Sequence, residues 1–375
     1  MVETSKELLS IALDATLWDE PTTGIGIYTR NLSKSLENEG VRVTKVGARK
    51  SGAFPRRTGS ATAYFLGPLP RLLPTLDVSL FHGVRNFTLP LLPVPGKGMV
   101  LTVHDIVPEL LPDTVSFAFR WQSRLWLTRS LRVARQIICD SHRTREDVAA
   151  RFGISADKLH VVHLGVDHLD ELPRLDSIGL TYLQALQLPP RYMLYAGSLD
   201  ARKNIACVLD AFASLQSRPP VLPLVIIGQA WFGSSPVEKR ISSMRQEGLP
   251  IRYLGYQPPA IFYELMRRAT LFLFPSRYEG FGLPPLEAMR LGVPVIVSTG
   301  GALPEVCGEA AAKIDPDRPE DLAKAITALM SSEGERRTRA AAGLKWAANF
   351  TWKRTAQQTI EVYRAALDEK ADSAS

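Results

Sequence analysis

Leu271-Phe-Leu-Phe-Pro-Ser-Arg-Tyr-Glu279-Gly-Phe-Gly-Leu-Pro-Pro-Leu-Glu287-Ala-Met289 is the stretch on which the fold turns. Its four leading apolar residues predict a buried strand ending near Pro275. A loop bearing Gly280 and Gly282 follows, and Pro284 and Pro285 stand where proline opens a helix without forfeiting a needed amide. Strand, glycine loop and helix start together offer free backbone N–H groups to an anion such as a diphosphate, and the glycines let it approach. Glu287 is expected in the first helical turn, where a carboxylate beside phosphate is repelled unless it serves another group, such as ribose hydroxyls.

Upstream, Tyr195-Ala-Gly197-Ser-Leu-Asp-Ala-Arg202-Lys203-Asn204 repeats the pattern of a strand running into a loop, now with two adjacent cations before the next helix. A planar guanidinium and a compact ammonium both suit a diphosphate. On their own they could equally be exposed charges at a helix start.

Apolar runs alternate with helix-like segments along the whole chain, which predicts an α/β protein with parallel sheets covered on both faces. Strands are expected near Ile11–Ala15, Val41–Val46, Val78–His82, Val100–His104, Ile137–Asp140 and His160–His163. A second set is expected near Tyr192–Ala196, Leu224–Ile227, Ile251–Leu254, Leu271–Phe274, Val295–Val297 and Ala311–Ile314. A chain of 375 residues exceeds what one core usually supports, so two doubly wound, Rossmann-like domains are expected to face each other across a cleft. Their predicted extents are 1–178 for the first, a linker at 179–190, and 191–350 for the second. A C-terminal helix and tail, 351–375, would pack back on the first domain.

The formal charge of +7 implies attraction to something anionic without naming it. Residues 41–76 hold no acid but contain Arg42, Lys45, Arg49, Lys50, Arg56, Arg57 and Arg71, and read as a long basic loop. Phe117 to Gln136 carries five arginines among Trp121, Leu125, Trp126, Leu127 and Leu131, a composition that could lie against anionic lipid. The absence of a run of about 20 apolar residues, or of a basic-then-apolar leader, points to a cytoplasmic protein, with the inner face of a membrane as a further location. Cys139, Cys207 and Cys307 are widely spaced in apolar sequence and fit reduced core thiols rather than a metal site.

The pair Glu279 and Glu287, the P-S-x-Y-E-G-F-G-L-P-P-L-E-A-M string around it and the G-x-L-x-x-R-K-N string at Gly197 resemble family 4 of the retaining glycosyltransferases, which have the two-domain GT-B fold. Gly255-Tyr-Gln257, Leu303-Pro-Glu-Val306 and Thr22-Thr-Gly24-Ile-Gly26 extend the likeness over nearly the whole chain, and it leans towards mannosyltransferases of O-antigen type. The resemblance implies that Arg202 and Lys203 hold the donor diphosphate, that Phe281, Gly282 and Leu283 offer it amides, and that Glu287 binds the ribose. It further implies that Glu279 meets the transferred sugar, that Gln257 lies by the base, and that His104, in Thr-Val-His-Asp, contacts the sugar near the reacting carbon. Many relatives carry arginine where this chain has Ser198, so the guanidinium role passes to Arg202.

The implied reaction is retaining transfer of a hexose, mannose favoured, from a nucleotide-sugar, with a GDP-sugar favoured, to a glycan or polyprenyl-diphosphate-linked acceptor of surface polysaccharide synthesis. A glucosyl- or rhamnosyltransferase on the same scaffold is the alternative. No cofactor is implied, the nucleotide-sugar being a substrate, and no metal: Asp315-Pro-Asp317 spells D-x-D but reads as a turn and helix cap. Gly24 and Gly26, after the first strand, could offer amides to phosphate or make an ordinary turn. His82, Arg85 and Asn86 are acceptor-side candidates at another strand end. A nucleic-acid-binding protein lacks support, since no aromatic-interleaved basic sheet motif or zinc module is visible. A glycosidase would not explain Arg202 and Lys203 beside the carboxylates.

Overall fold

The computed structural model describes residues 8–20, 23–47, 61–216, 222–229 and 235–372. The predicted basic positions Arg49, Lys50, Arg56 and Arg57 lie outside them. The chain forms two compact units, one of residues 1–110, 116–165 and 351–375, the other of 111–115 and 166–350.

The first unit is built on six parallel strands: β1 (Ser10–Asp14), β2 (Arg42–Val46), β3 (Leu80–Gly83), β4 (Gly98–Val103), β5 (Gln136–Cys139) and β6 (Leu159–Val161), in the order β2-β1-β3-β4-β5-β6. β1, β3, β4 and β5 are buried throughout, as a sheet covered on both faces requires. One core of the unit gathers Phe65, Leu69, Phe81, Leu101, Leu127, Leu131 and Ile137. The helix Trp352–Asp372 packs on the Gly24–Asn38 helix and on β4 and β5. The end of the predicted basic loop instead forms the short helices Ala61–Leu66 and Pro68–Leu72.

The second unit repeats the design with β7 (Met193–Ala196), β8 (Leu224–Ile227), β9 (Ile251–Tyr253), β10 (Leu271–Phe274), β11 (Val295–Ser298) and β12 (Ala312–Ile314), in the order β12-β11-β10-β7-β8-β9. From β7 the chain winds outward through β8 and β9, then returns to place β10 on the other side of β7. Such a reversal opens a crevice at the carboxyl ends of the two central strands. The loops after β7 and β10 carry the two quoted motifs.

The first passage from one unit's main body to the other falls between Gly165 and Val166, earlier than the predicted linker at 179–190. Residues Ser177–Ala185 are helical, capped by Asp176, whose side chain accepts from the Gly179 amide. This helix belongs to the second unit, where the Tyr182 hydroxyl donates to Gln257 Oε1 at 3.2 Å. The return at residues 350 and 351 is adjacent: the Val166 amide donates to the Phe350 carbonyl at 3.0 Å. Gly165 lies so close to Trp352 that a Cβ there would sit 2.2 Å from its backbone nitrogen.

Candidate active site

In the second unit, Ala201–Lys203 forms one tight turn whose amide at Lys203 donates to Asp200 Oδ1 at 3.0 Å. Asn204 follows in the left-handed region at φ 56, and its buried side-chain amide donates to the carbonyls of Pro275 (3.0 Å) and Pro316 (2.7 Å). That residue fastens the cation-bearing turn to the loop after β10. The Arg277 amide closes the same junction by donating to the Arg202 carbonyl at 2.8 Å.

The cations are thereby delivered to Glu279. Arg202 donates to Glu279 Oε2 at 2.9 Å and to the Tyr278 carbonyl at 3.1 Å, and Lys203 Nζ donates to Glu279 Oε1 at 2.8 Å. Ser276 donates to the same Oε1, and the Lys203 ammonium lies 5.0 Å from the Phe274 ring centroid. Burial alone would raise the Glu279 pKa, but Arg202 and Lys203 outweigh it and hold the carboxyl at about 2. Lys203 is moved down, because burial penalises its charge and Arg202 repels it while Glu279 only partly compensates. The three side chains therefore form a charged cluster whose two cations can turn from Glu279 to an incoming anion.

The helix Leu283–Arg290 begins at Gly282, which sits at φ 104 with so little room that a Cβ would lie 2.6 Å from Leu303. Phe281 is buried against Phe350. Glu287 is the fifth helical residue, at the end of the first turn, because the helix already starts at Leu283, just ahead of the two prolines. Its Oε1 accepts from the Tyr263 hydroxyl at 2.9 Å and stands 3.6 Å from His168 Nε2. Gln257 is buried, its amide donating to the Leu254 carbonyl at 2.8 Å, so its side chain is spent inside the fold. Gly197 approaches Gly228 so tightly that a Cβ on the latter would lie 1.8 Å from the Gly197 oxygen.

Several contributors escaped the sequence. Gly300 and Gly301 after β11 carry the loop of Glu279: a Cβ on Gly301 would meet the Glu279 carbonyl at 2.3 Å, and the Ala302 amide donates to that carbonyl at 2.8 Å. The Gly-Gly pair after a strand was the available signal. Tyr263 and His168 gave none, and Asn204 stood in the quoted string without a role of its own. Asp315 accepts from the Asp317 amide at 2.9 Å, as a turn does, but the next helix, Pro319–Ser331, has no side-chain cap.

The first unit treats its candidates differently. Gly26 is required by a close approach to the Glu20 carbonyl, yet its amide donates to Thr23 Oγ1 at 3.0 Å and is taken by the helix's own cap; Gly24 has open space around it. His82 is corrected from an acceptor-side candidate to an interior residue. It is fully buried, bonded to Tyr363 Oη (2.8 Å) and Thr102 Oγ1 (2.7 Å), and burial pushes its pKa down to about 3. Arg85 lies 3.6 Å from the buried Asp14, and Asn86 donates to the Asp105 carbonyl at 2.9 Å. His104, just past β4, places Nδ1 2.6 Å from Asp140 and Nε2 3.0 Å from the Val84 carbonyl. Cys139, Cys207 and Cys307 are free and buried, and burial raises all three thiols.

Family models described as "Glycosyl transferases group 1" and "Glycosyltransferase Family 4" match residues 184–346 and 22–168. The chain is 34% identical over 292 residues to the O-antigen chain mannosyltransferase B of Escherichia coli, covering 76% of this chain and 74% of that one. The chain belongs to the family 4 glycosyltransferases. This glycosyltransferase is also 30% identical to the MMP alpha-(1->4)-mannosyltransferase of Mycolicibacterium hassiacum, over 78% of its own length and 71% of that protein's. The sucrose-phosphate synthase of Thermosynechococcus elongatus superposes with a TM-score of 0.71 at 21% identity, covering 98% of this chain and all of that one, which shows the GT-B fold.

Proposed function

We propose that this glycosyltransferase moves a hexose, mannose favoured, from a nucleotide-sugar, GDP-linked by preference, to a glycan or polyprenyl-diphosphate-linked acceptor in surface polysaccharide synthesis, with retained configuration and without a metal. The observation that carries this is the Arg202–Lys203–Glu279 cluster at the crevice of the second sheet, beside the helix start at Gly282. Two of the relatives, from Escherichia coli and Mycolicibacterium hassiacum, are mannosyltransferases, which favours mannose.

In this mechanism the donor diphosphate takes over Arg202 and Lys203 and lies against the amides at Phe281, Gly282 and Leu283. The release frees Glu279 to accept from hydroxyls of the transferred sugar, while Glu287, one oxygen fixed by Tyr263, accepts from the ribose. The bond between the anomeric carbon and the phosphate oxygen breaks, the acceptor oxygen bonds to the same face, and its proton passes to the departing phosphate. Catalysis rests on positioning and on stabilising charge at that phosphate. His104 is placed on the sugar side of the reaction; Gly24, Gly197 and Gln257 act through backbone, and Arg85 with Asn86 on the acceptor side. Thermal-shift measurements with GDP, UDP and dTDP, followed by a donor panel and NMR of the product linkage, test this. No stabilisation by any of the three, or an inverted linkage, would refute it.

Association with an anionic bilayer rests on the helix Phe117–Val133. Its buried face is Ser123, Leu127, Ser130 and Leu131, while Phe117, Trp121 and Leu125 form a stripe 74%, 58% and 68% exposed. The stripe runs on to Arg129, which donates to the carbonyls of Leu89, Pro90 and Leu91 and so sets the exposed Leu91 and Leu92 beside it. Arg120, Arg124 and Arg132 accompany it, and 114–139 contains no acid, a pairing of apolar and cationic groups suited to a lipid interface. Among the described residues no helix is long and apolar enough to cross a membrane. Flotation with phosphatidylglycerol liposomes should be strong at low salt and lost in the Trp121→Ser, Leu125→Ser double variant; equal flotation of both would exclude this surface.

A further inference from the structure

His104 follows β4 and Asp140 follows the adjacent β5, both in the first unit. The two ring nitrogens of His104 each face an acceptor: Nδ1 the Asp140 Oδ2 at 2.6 Å, Nε2 the Val84 carbonyl at 3.0 Å. A carbonyl oxygen only accepts, so Nε2 carries a proton, and an ionised carboxylate only accepts, so Nδ1 carries the other. A neutral ring fits this geometry only if the second proton rests on Asp140, and Asp140 then spends it in the same bond. Either way the pair holds one proton more than an ordinary histidine and aspartate at neutral pH.

We propose that His104 and Asp140 form a fixed imidazolium–carboxylate pair, so that His104 serves transfer as a held positive charge and not as a proton acceptor, with Asp140 as the positioning residue that keeps it charged. The surroundings agree. Ser141, not Asp140, caps the helix His142–Phe152 by accepting from the Thr144 amide, which leaves Asp140 to the histidine. Asp140 Oδ1 is buried without a hydrogen bond, tolerable for a carboxylate beside a cation. Asp105 adds negative charge, the Tyr28 ring stands edge-on at 5.0 Å with its phenol kept protonated by burial, and His82, beyond Thr102, is held neutral. Burial disfavours charge on His104, but Asp140, through its charge and its hydrogen bond, together with Asp105 and the Val84 carbonyl more than offsets this and raises the ring's pKa.

A ring that donates from both nitrogens has no lone pair for the acceptor's proton, which leaves the departing phosphate as its destination. The catalytic half of this proposal rests on His104 lying on the donor-sugar side; the charge state does not. Nitrogen-15 NMR of histidine-labelled full-length protein reads that state directly and needs no variant. A doubly protonated ring at pH 7 is expected, above the ordinary midpoint of about 6.5, and a singly protonated neutral ring at that pH would overturn the proposal. In Asp140→Asn the ring should be mostly neutral at pH 7, with kcat about ten- to a hundredfold lower, partial recovery at about pH 6 and little change in donor KM. A charged wild-type ring with an unaffected Asp140→Asn kcat would overturn the positioning role. Full activity in His104→Ala would show instead that the family-derived placement of His104 is at fault.

Discussion

Replacing Glu279 by glutamine keeps the shape of the side chain and removes the charge that Arg202 and Lys203 share. In the wild type the carboxyl is held from its ordinary 4.5 down to about 2, equivalent to roughly 3 kcal/mol in favour of the ionised, paired form. Burying the Lys203 ammonium beside Arg202 works against this, so the net loss in Glu279→Gln is expected at about 2 kcal/mol. A carboxylate whose folded pKa is depressed stabilises the protein fully above its unfolded pKa and loses that contribution as pH falls towards the folded value. The gap between wild type and variant should therefore be full at pH 7, about half closed near pH 3 and gone below about pH 2. Urea denaturation of both proteins across that range measures it. Nucleotide affinity should hold or rise, because the cations no longer have a competing carboxylate, while transfer falls. Equal stability of the two proteins at pH 7, or a gap that does not shrink in acid, would refute the assignment of Glu279 as the anchor of the cluster.

Lys203→Ala should lower kcat at saturating donor by about 10²- to 10³-fold, and near wild-type turnover in a steady-state assay would remove Lys203 from the mechanism. Tyr263→Phe strips Glu287 of its 2.9 Å bond and should raise donor KM about tenfold with kcat nearly unchanged, as donor titrations will show. Asn204→Ala leaves the carbonyls of Pro275 and Pro316 without that donor and puts alanine, which tolerates the left-handed region less well than asparagine, at φ 56, so chemical denaturation should show a loss of about 2–3 kcal/mol.

Among the described residues the central strands were legible as apolar runs, because a strand buried on both faces must be written almost entirely in apolar residues; the outer strands β2, β6, β9 and β12 carry polar residues among the apolar ones and gave a shorter, mixed signal. Ends moved by a residue or two: His104 and Asp140, placed inside strands by their runs, lie just beyond them, where side chains turn towards ligands. The cluster's parts were legible too, since Arg202, Lys203 and Glu279 each sit in a loop after a strand. Their mutual pairing was not, because it depends on Asn204 stitching together loops more than 70 residues apart. Tyr263 reads as one more apolar position on the amphipathic helix Pro259–Arg267, and only the fold reveals its hydroxyl against Glu287. The helix Ser177–Ala185 was missed because flanking prolines mark a linker as readily as they bracket a short helix.

The passages at 165–166 and 350–351 bear on how the molecule is made. Residues 166–350 are synthesised before the Trp352–Asp372 helix, which packs on β4 and β5 of the sheet begun at Ser10. The part encoded in the middle can thus finish folding while the part encoded first waits for the last helix, its His82 still without Tyr363. A premature stop after Phe350 would spare the loops that carry Arg202, Lys203 and Glu279 and cripple the other half, so loss of the Trp352–Asp372 helix should register first as a chaperone-bound amino-terminal segment.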